Sequence, residues 1–96
     1  MTFEEFQKSI SASHPPENFN LVSKALWYDA KNQWDESHAI VQDMHNAEGS
    51  HIHAYLHRKE GDLTNARYWY SRAGETMPNI SLKEEAERLI KRYLAR

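Results

Sequence analysis

Ninety-six residues, 40% apolar and 27% charged, are enough for one globular domain and argue against wholesale disorder. The chain has no cysteine, which excludes disulfide and thiolate chemistry and leads us to expect a reducing, cytoplasmic setting. The net charge of −2 is unevenly split: residues 1–49 carry 3 Lys/Arg against 8 Asp/Glu, and residues 50–96 carry 9 against 6. Such polarity would steer a partner or favour head-to-tail self-association, but it is too mild to argue for nucleic acid.

In chain order, Phe3, Phe6 and Ile10 recur at helical spacing, and Thr2 with Glu5 forms a capping box that opens a first helix. Its acidic start carries no apolar leader, and no stretch is long and apolar enough for a membrane span. "SASHPPEN" breaks the helix: His14 precedes a proline and is biased away from helix, and Pro16 can open the next one. Near the other end, Ser81 and Glu84 form a second capping box. It precedes a stripe of Leu82, Ala86, Leu89, Ile90 and Tyr93, which predicts a C-terminal helix over about 81–95. Period-two alternation is missing throughout, so the reading is all-α.

Between the end helices the chain repeats itself. "ALWYDAKNQWDESHAIVQDM" (residues 25–44) aligns with "AYLHRKEGDLTNARYWYSRA" (54–73) at an offset of 29 residues. Ala25 matches Ala54, Trp27 matches Leu56, Ser37 matches Ala66 and Val41 matches Tyr70, and the dipeptides Asn32-Gln33 and Gly61-Asp62 fall at the turn. Each copy reads as helix, turn, helix, with repeat 1 over about 19–46 and repeat 2 over about 50–74. Self-similarity of this kind points to units that bury their apolar faces by stacking.

In the second copy, Ala54 precedes the Gly61-Asp62 turn, and Ala66, Tyr70, Ala73 and Pro78 follow it. With these residues the segment resembles a tetratricopeptide repeat. The run "HAYLHRKEGDLTNARYWY" also looks like the signature of a family of small, uncharacterised bacterial proteins, a likeness that supplies no activity. The tetratricopeptide resemblance implies a right-handed stack of about six helices, two hairpins flanked by capping helices. It also implies that the first helix of each hairpin lines a concave surface. In repeat 2 that surface would show His51, Tyr55, Arg58 and Lys59, which suit an acidic peptide or a carboxylate through charge-assisted hydrogen bonds.

Three of the six histidines crowd into "SHIHAYLHRKEGD", residues 50–62. On a helix capped by Ser50 and ended by Gly61, His53 and His57 stand at i, i+4 with Glu60 next on the stripe. In the preceding helix, His38 and His45 share a face with Trp34, Ser37, Val41 and Met44, so either can meet the pair. Histidines placed this way can pack with satisfied ring nitrogens, serve as an acid–base group, or hold zinc or another divalent metal through His38, His53, His57 and Glu60. The text is His-Ala-Tyr-Leu-His, without the glutamate of the zinc-peptidase motif, and no serine sits in a nucleophile elbow. "ARYWYSRAG" interleaves arginines with aromatics, but Tyr70 belongs with the apolar positions and only Tyr68 points clearly outward, so nucleic acid is not expected. The sequence thus reads as a small module binding a protein, a peptide or a second copy of itself (a homodimer). The alternative is a histidine site of metal-binding or acid–base type.

Overall fold

The computed structural model describes residues 1–94. It contains six helices: α1 Phe3–Ser9, α2 Leu21–Ala30, α3 Trp34–Val41, α4 Ala47–Glu60, α5 Leu63–Ala73 and α6 Leu82–Tyr93. No strand occurs among the described residues, as the missing two-residue alternation implies. Both capping boxes form. Thr2 accepts from the Glu5 amide and Ser81 from that of Glu84, and each glutamate reaches back to its cap. Ala95, the last residue of the expected C-terminal helix, lies outside the described residues.

Two helix starts differ from expectation. Pro16 opens a turn rather than a helix; α2 begins at Leu21, where Asn20 accepts from the Ser23 amide at 2.9 Å. Ser50 is not a cap: Asn46 accepts from the Gly49 amide at 2.8 Å, so α4 is capped four residues before the expected position and carries Ser50 inside. Asparagine wins because its short carboxamide reaches the third amide of the helix while its own backbone stays extended. Gly49 therefore marks a close approach and not a terminus, since a Cβ there would lie 2.5 Å from Met44 Cβ.

The repeat appears as two hairpins, α2 with α3 and α4 with α5. Their turns carry corresponding bonds. Asn32 N–H donates to Asp29 O and Gln33 N–H to Tyr28 O, each at 2.9 Å. In the second hairpin, Gly61 N–H donates to Arg58 O at 3.1 Å and Asp62 N–H to His57 O at 2.9 Å. Asn32 and Gly61 both take positive φ, 62° and 92°, which reverses the chain directly after the helix. Small residues meet inside each hairpin. Ser37 and Ala25 are both buried, with the Ser37 hydroxyl donating to Ala25 O at 2.7 Å, and Ala54 and Ala66 are buried together beneath Tyr70.

Helix α4 is the centre of the molecule. It packs on α2, α3, α5 and α6, and every residue from Gly49 to His57 is buried. One apolar cluster joins Phe6, Leu26, Trp27, Ile52, Tyr55, Leu56, Leu89 and Ile90, so the end helices close over the first hairpin and α4. Each large side chain taken fully out of water there contributes about 1.5–3 kcal/mol. Trp27, wholly buried, donates its indole N–H to Ser9 and fixes α1 to α2. No helix of the described residues is long and apolar enough to cross a membrane.

Candidate functional site: a buried histidine triad

His38 on α3 and His53 and His57 on α4 come together where the two hairpins meet. One ring nitrogen from each lies within 4.8 Å of the others. His38 Nε2 and His53 Nε2 are 3.1 Å apart. His53 and His57 are only 4% and 7% exposed, while His38 is half-buried. The i, i+4 spacing puts the pair on one face of α4, and the α3–α4 packing brings His38 to it.

Aromatic walls fix two of the rings. Trp34 stacks on His38 with centroids 4.7 Å apart, and its indole N–H donates to Leu56 O at 2.9 Å. Trp69 of α5 stacks on His53 at 4.0 Å. His57 is held by polar contacts: its Nδ1 is 2.6 Å from Glu60 Oε2, and Asn65 Nδ2 lies 3.4 Å from its Nε2. A carboxylate only accepts, so Nδ1 donates to Glu60, which leaves Nε2 as the ring nitrogen that can act as a ligand.

Between His38 and His53 only one Nε2 can carry the shared proton. His53 Nδ1 is the one buried side-chain polar atom without a partner among the described residues. A bare lone pair left there costs less than a stranded N–H, so the network places the proton on His53 Nε2, donating to His38. Burial pushes the His53 ring down to about 4, with the neighbouring His38 and His57 adding to the shift. Burial also lowers His38, aided by His57 and opposed by Glu60 and Asp35. At neutral pH these two rings are therefore uncharged and can ligate.

The structure brings together His38, His53 and His57 as expected and separates the other candidates. His45 is exposed, because α3 ends at Val41 and the chain turns away before reaching it. Glu60 joins His57 and Asp62 in a second group but does not reach all three histidines.

The expected concave surface is not open. His51 and Tyr55 are buried; His51 Nδ1 meets Tyr93 OH at 2.7 Å, and burial lowers that histidine as well. Arg58 is paired with the buried Glu85 at 2.7 Å and also donates to Ile80 O. Lys59 pairs with Asp29 at 2.9 Å. His51 and Arg58 are engaged by Tyr93 and Glu85 of α6, and Lys59 by Asp29 of α2, so these side chains are held inside the fold's own contacts. Beside His51 the same packing leaves a cavity of about 270 Å³. Two of its carboxylates are already held in ion pairs, Glu85 by Arg58 and Glu75 by Arg92 at 3.2 Å.

Sequence reasoning missed Asn65 and Trp69 as neighbours of the triad. The available signal was Ala66: a small residue at the hairpin crossing brings the residues beside it on α5 close to α4. No family model, no curated protein and no solved structure matches this chain.

Proposed function

We propose that this protein binds a divalent transition metal, zinc foremost, through His38, His53 and His57. The observation that carries this reading is the 3.1 Å separation of two ring nitrogens inside a largely buried set of three. In a tetrahedral zinc site with Zn–N of 2.0–2.1 Å, neighbouring ligand nitrogens lie roughly 3.3 Å apart. The two rings are thus already spaced as ligands, held by the Trp34 and Trp69 walls. Glu60 takes the part of the carboxylate that orients a metal-bound imidazole through its other nitrogen.

Binding would replace the proton shared by His38 and His53 with the metal. That shift puts a proton on His53 Nδ1, which has no partner, at a cost of about 1–3 kcal/mol. Structural zinc in zinc-finger peptides is worth on the order of 10 kcal/mol at neutral pH, a scale well above that cost. Asp35, Glu60 and Asp62, all exposed near the triad, would offset part of the added charge.

The reading also includes a tetratricopeptide-like arrangement of the hairpins, supported by the corresponding turn bonds and by the small pairs Ala25–Ser37 and Ala54–Ala66. A cysteine-free chain suits a cytoplasmic location, which completes the proposal.

Elemental analysis of untagged protein, followed by zinc titration of the metal-free form, tests it. About one zinc per chain is expected, with binding abolished in His38→Ala and the helical circular dichroism kept. His38 is the ligand to remove first because it is half-buried and its loss disturbs the core least. Absence of saturable zinc binding by the folded wild-type chain would overturn the reading.

A further inference from the structure

Resting on that metal-binding reading, we propose that the centre keeps its fourth coordination position for a ligand from solvent, water or a small anion, beside the Asn65 amide. The chain has no cysteine to close the site. Among the described residues no carboxylate joins the three histidines; the one acidic grouping that includes a triad member is His57 with Glu60 and Asp62. Glu60 Oε2 is committed to His57 Nδ1 at 2.6 Å, and His57 then offers the metal its other nitrogen, at the far edge of the ring.

Three histidines leave zinc one ligand short of its usual four, and such sites complete themselves with water. Three neutral ligands also leave the full charge of the ion in a buried place, which favours an anion in the open position. Asn65 Nδ2 stands 3.4 Å from His57 Nε2, next to where the metal would sit, and can donate to that anion. The half-exposed edge of the site is His38, which gives a small ligand its route in, while Trp34 and Trp69 limit what fits. The ligand class is therefore a compact anion, hydroxide included, and not a peptide side chain.

Cobalt(II) in place of zinc makes the coordination visible. Cobalt is titrated into the folded chain, and azide is then added while the visible absorption is recorded. The expected result is a His38-dependent cobalt spectrum that changes saturably with azide. In Asn65→Ala, azide affinity should fall several-fold, and by more than any loss of cobalt affinity through the freed His57 ring; equal azide affinity in that variant would remove Asn65 from the site. A His38-dependent spectrum that azide leaves unmoved would overturn the open position and leave the metal reading standing. If Glu60→Ala then made the spectrum azide-sensitive, Glu60 would be the fourth ligand. With no cobalt spectrum at all, both readings fail together.

Discussion

Asn32 and Gly61 reverse the chain at corresponding places in the two hairpins and carry matching backbone bonds, yet the helices around them have different neighbours. Trp34, just after the first turn, is half-buried and seals the triad, because α4 lies beyond it. Its counterpart Leu63 is 43% exposed, since α5 packs on α4 and no further hairpin among the described residues lies over it. Tyr28 is half-buried, whereas its counterpart His57 is buried between layers. A repeat unit thus fixes its own turn and its small–small crossing. The inner positions are buried in both copies, as Trp27 with Leu56 and Val41 with Tyr70 are, and the burial of outward positions such as Trp34 and Leu63 depends on which layer comes next. The second hairpin supplies the central helix, and there His51, His53 and His57 are enclosed.

The largest test of this contrast lies on α4. Arg58 is the ionic partner of Glu85, which is 3% exposed and also accepts from Tyr70 OH at 2.5 Å. Arg58→Ala leaves that carboxylate buried without its guanidinium and should cost about 3–5 kcal/mol. Urea unfolding would measure it, and a loss below 1 kcal/mol would mean that α6 does not seal this face. Next come the paired turn positions. Trp34→Ala should destabilise by about 3 kcal/mol, removing a stacked ring and its bond to Leu56 O. Leu63→Ala should stay within about 0.5 kcal/mol. Equal losses would show that the two hairpins see the same surroundings after all.

A third test is in pH. His53 drops from its ordinary value of 6.5 to about 4 on folding, so the unfolded chain takes up its proton first as pH falls. The stability from its neutral form is full above pH 6.5 and is lost progressively towards pH 4, on the order of 3 kcal/mol in all. His38 and His51, also lowered, add to the same trend. His53→Gln should flatten the acid limb of the metal-free protein; an unchanged limb would assign it to other groups.

Much of the frame was legible from local chemistry. Both capping boxes, both turns and the all-helical pattern follow from residues within a few positions of one another. The triad was half legible. His53 and His57 were paired by spacing alone, and His38 by its place on the face of Trp34. His45 followed the same periodicity but lies past the end of α3, and helix ends depend on how the chain leaves, not on the pattern before them. Asn65 and Trp69 escaped notice because their relation to the histidines runs through α4–α5 packing.

The sequence by itself determined the helices, their repeat and the three histidines able to meet, since these rest on backbone geometry and on interactions one turn long. Only the tertiary structure decided that His51 and Tyr55 are enclosed and that Arg58 and Lys59 are held in ion pairs. For His51 and Arg58 that outcome turns on where α6 comes to rest, since Tyr93 and Glu85 belong to it. A helix that buries its stripe of Leu89, Ile90 and Tyr93 gains most on the largest apolar face available, and here that face belongs to α2 and α4.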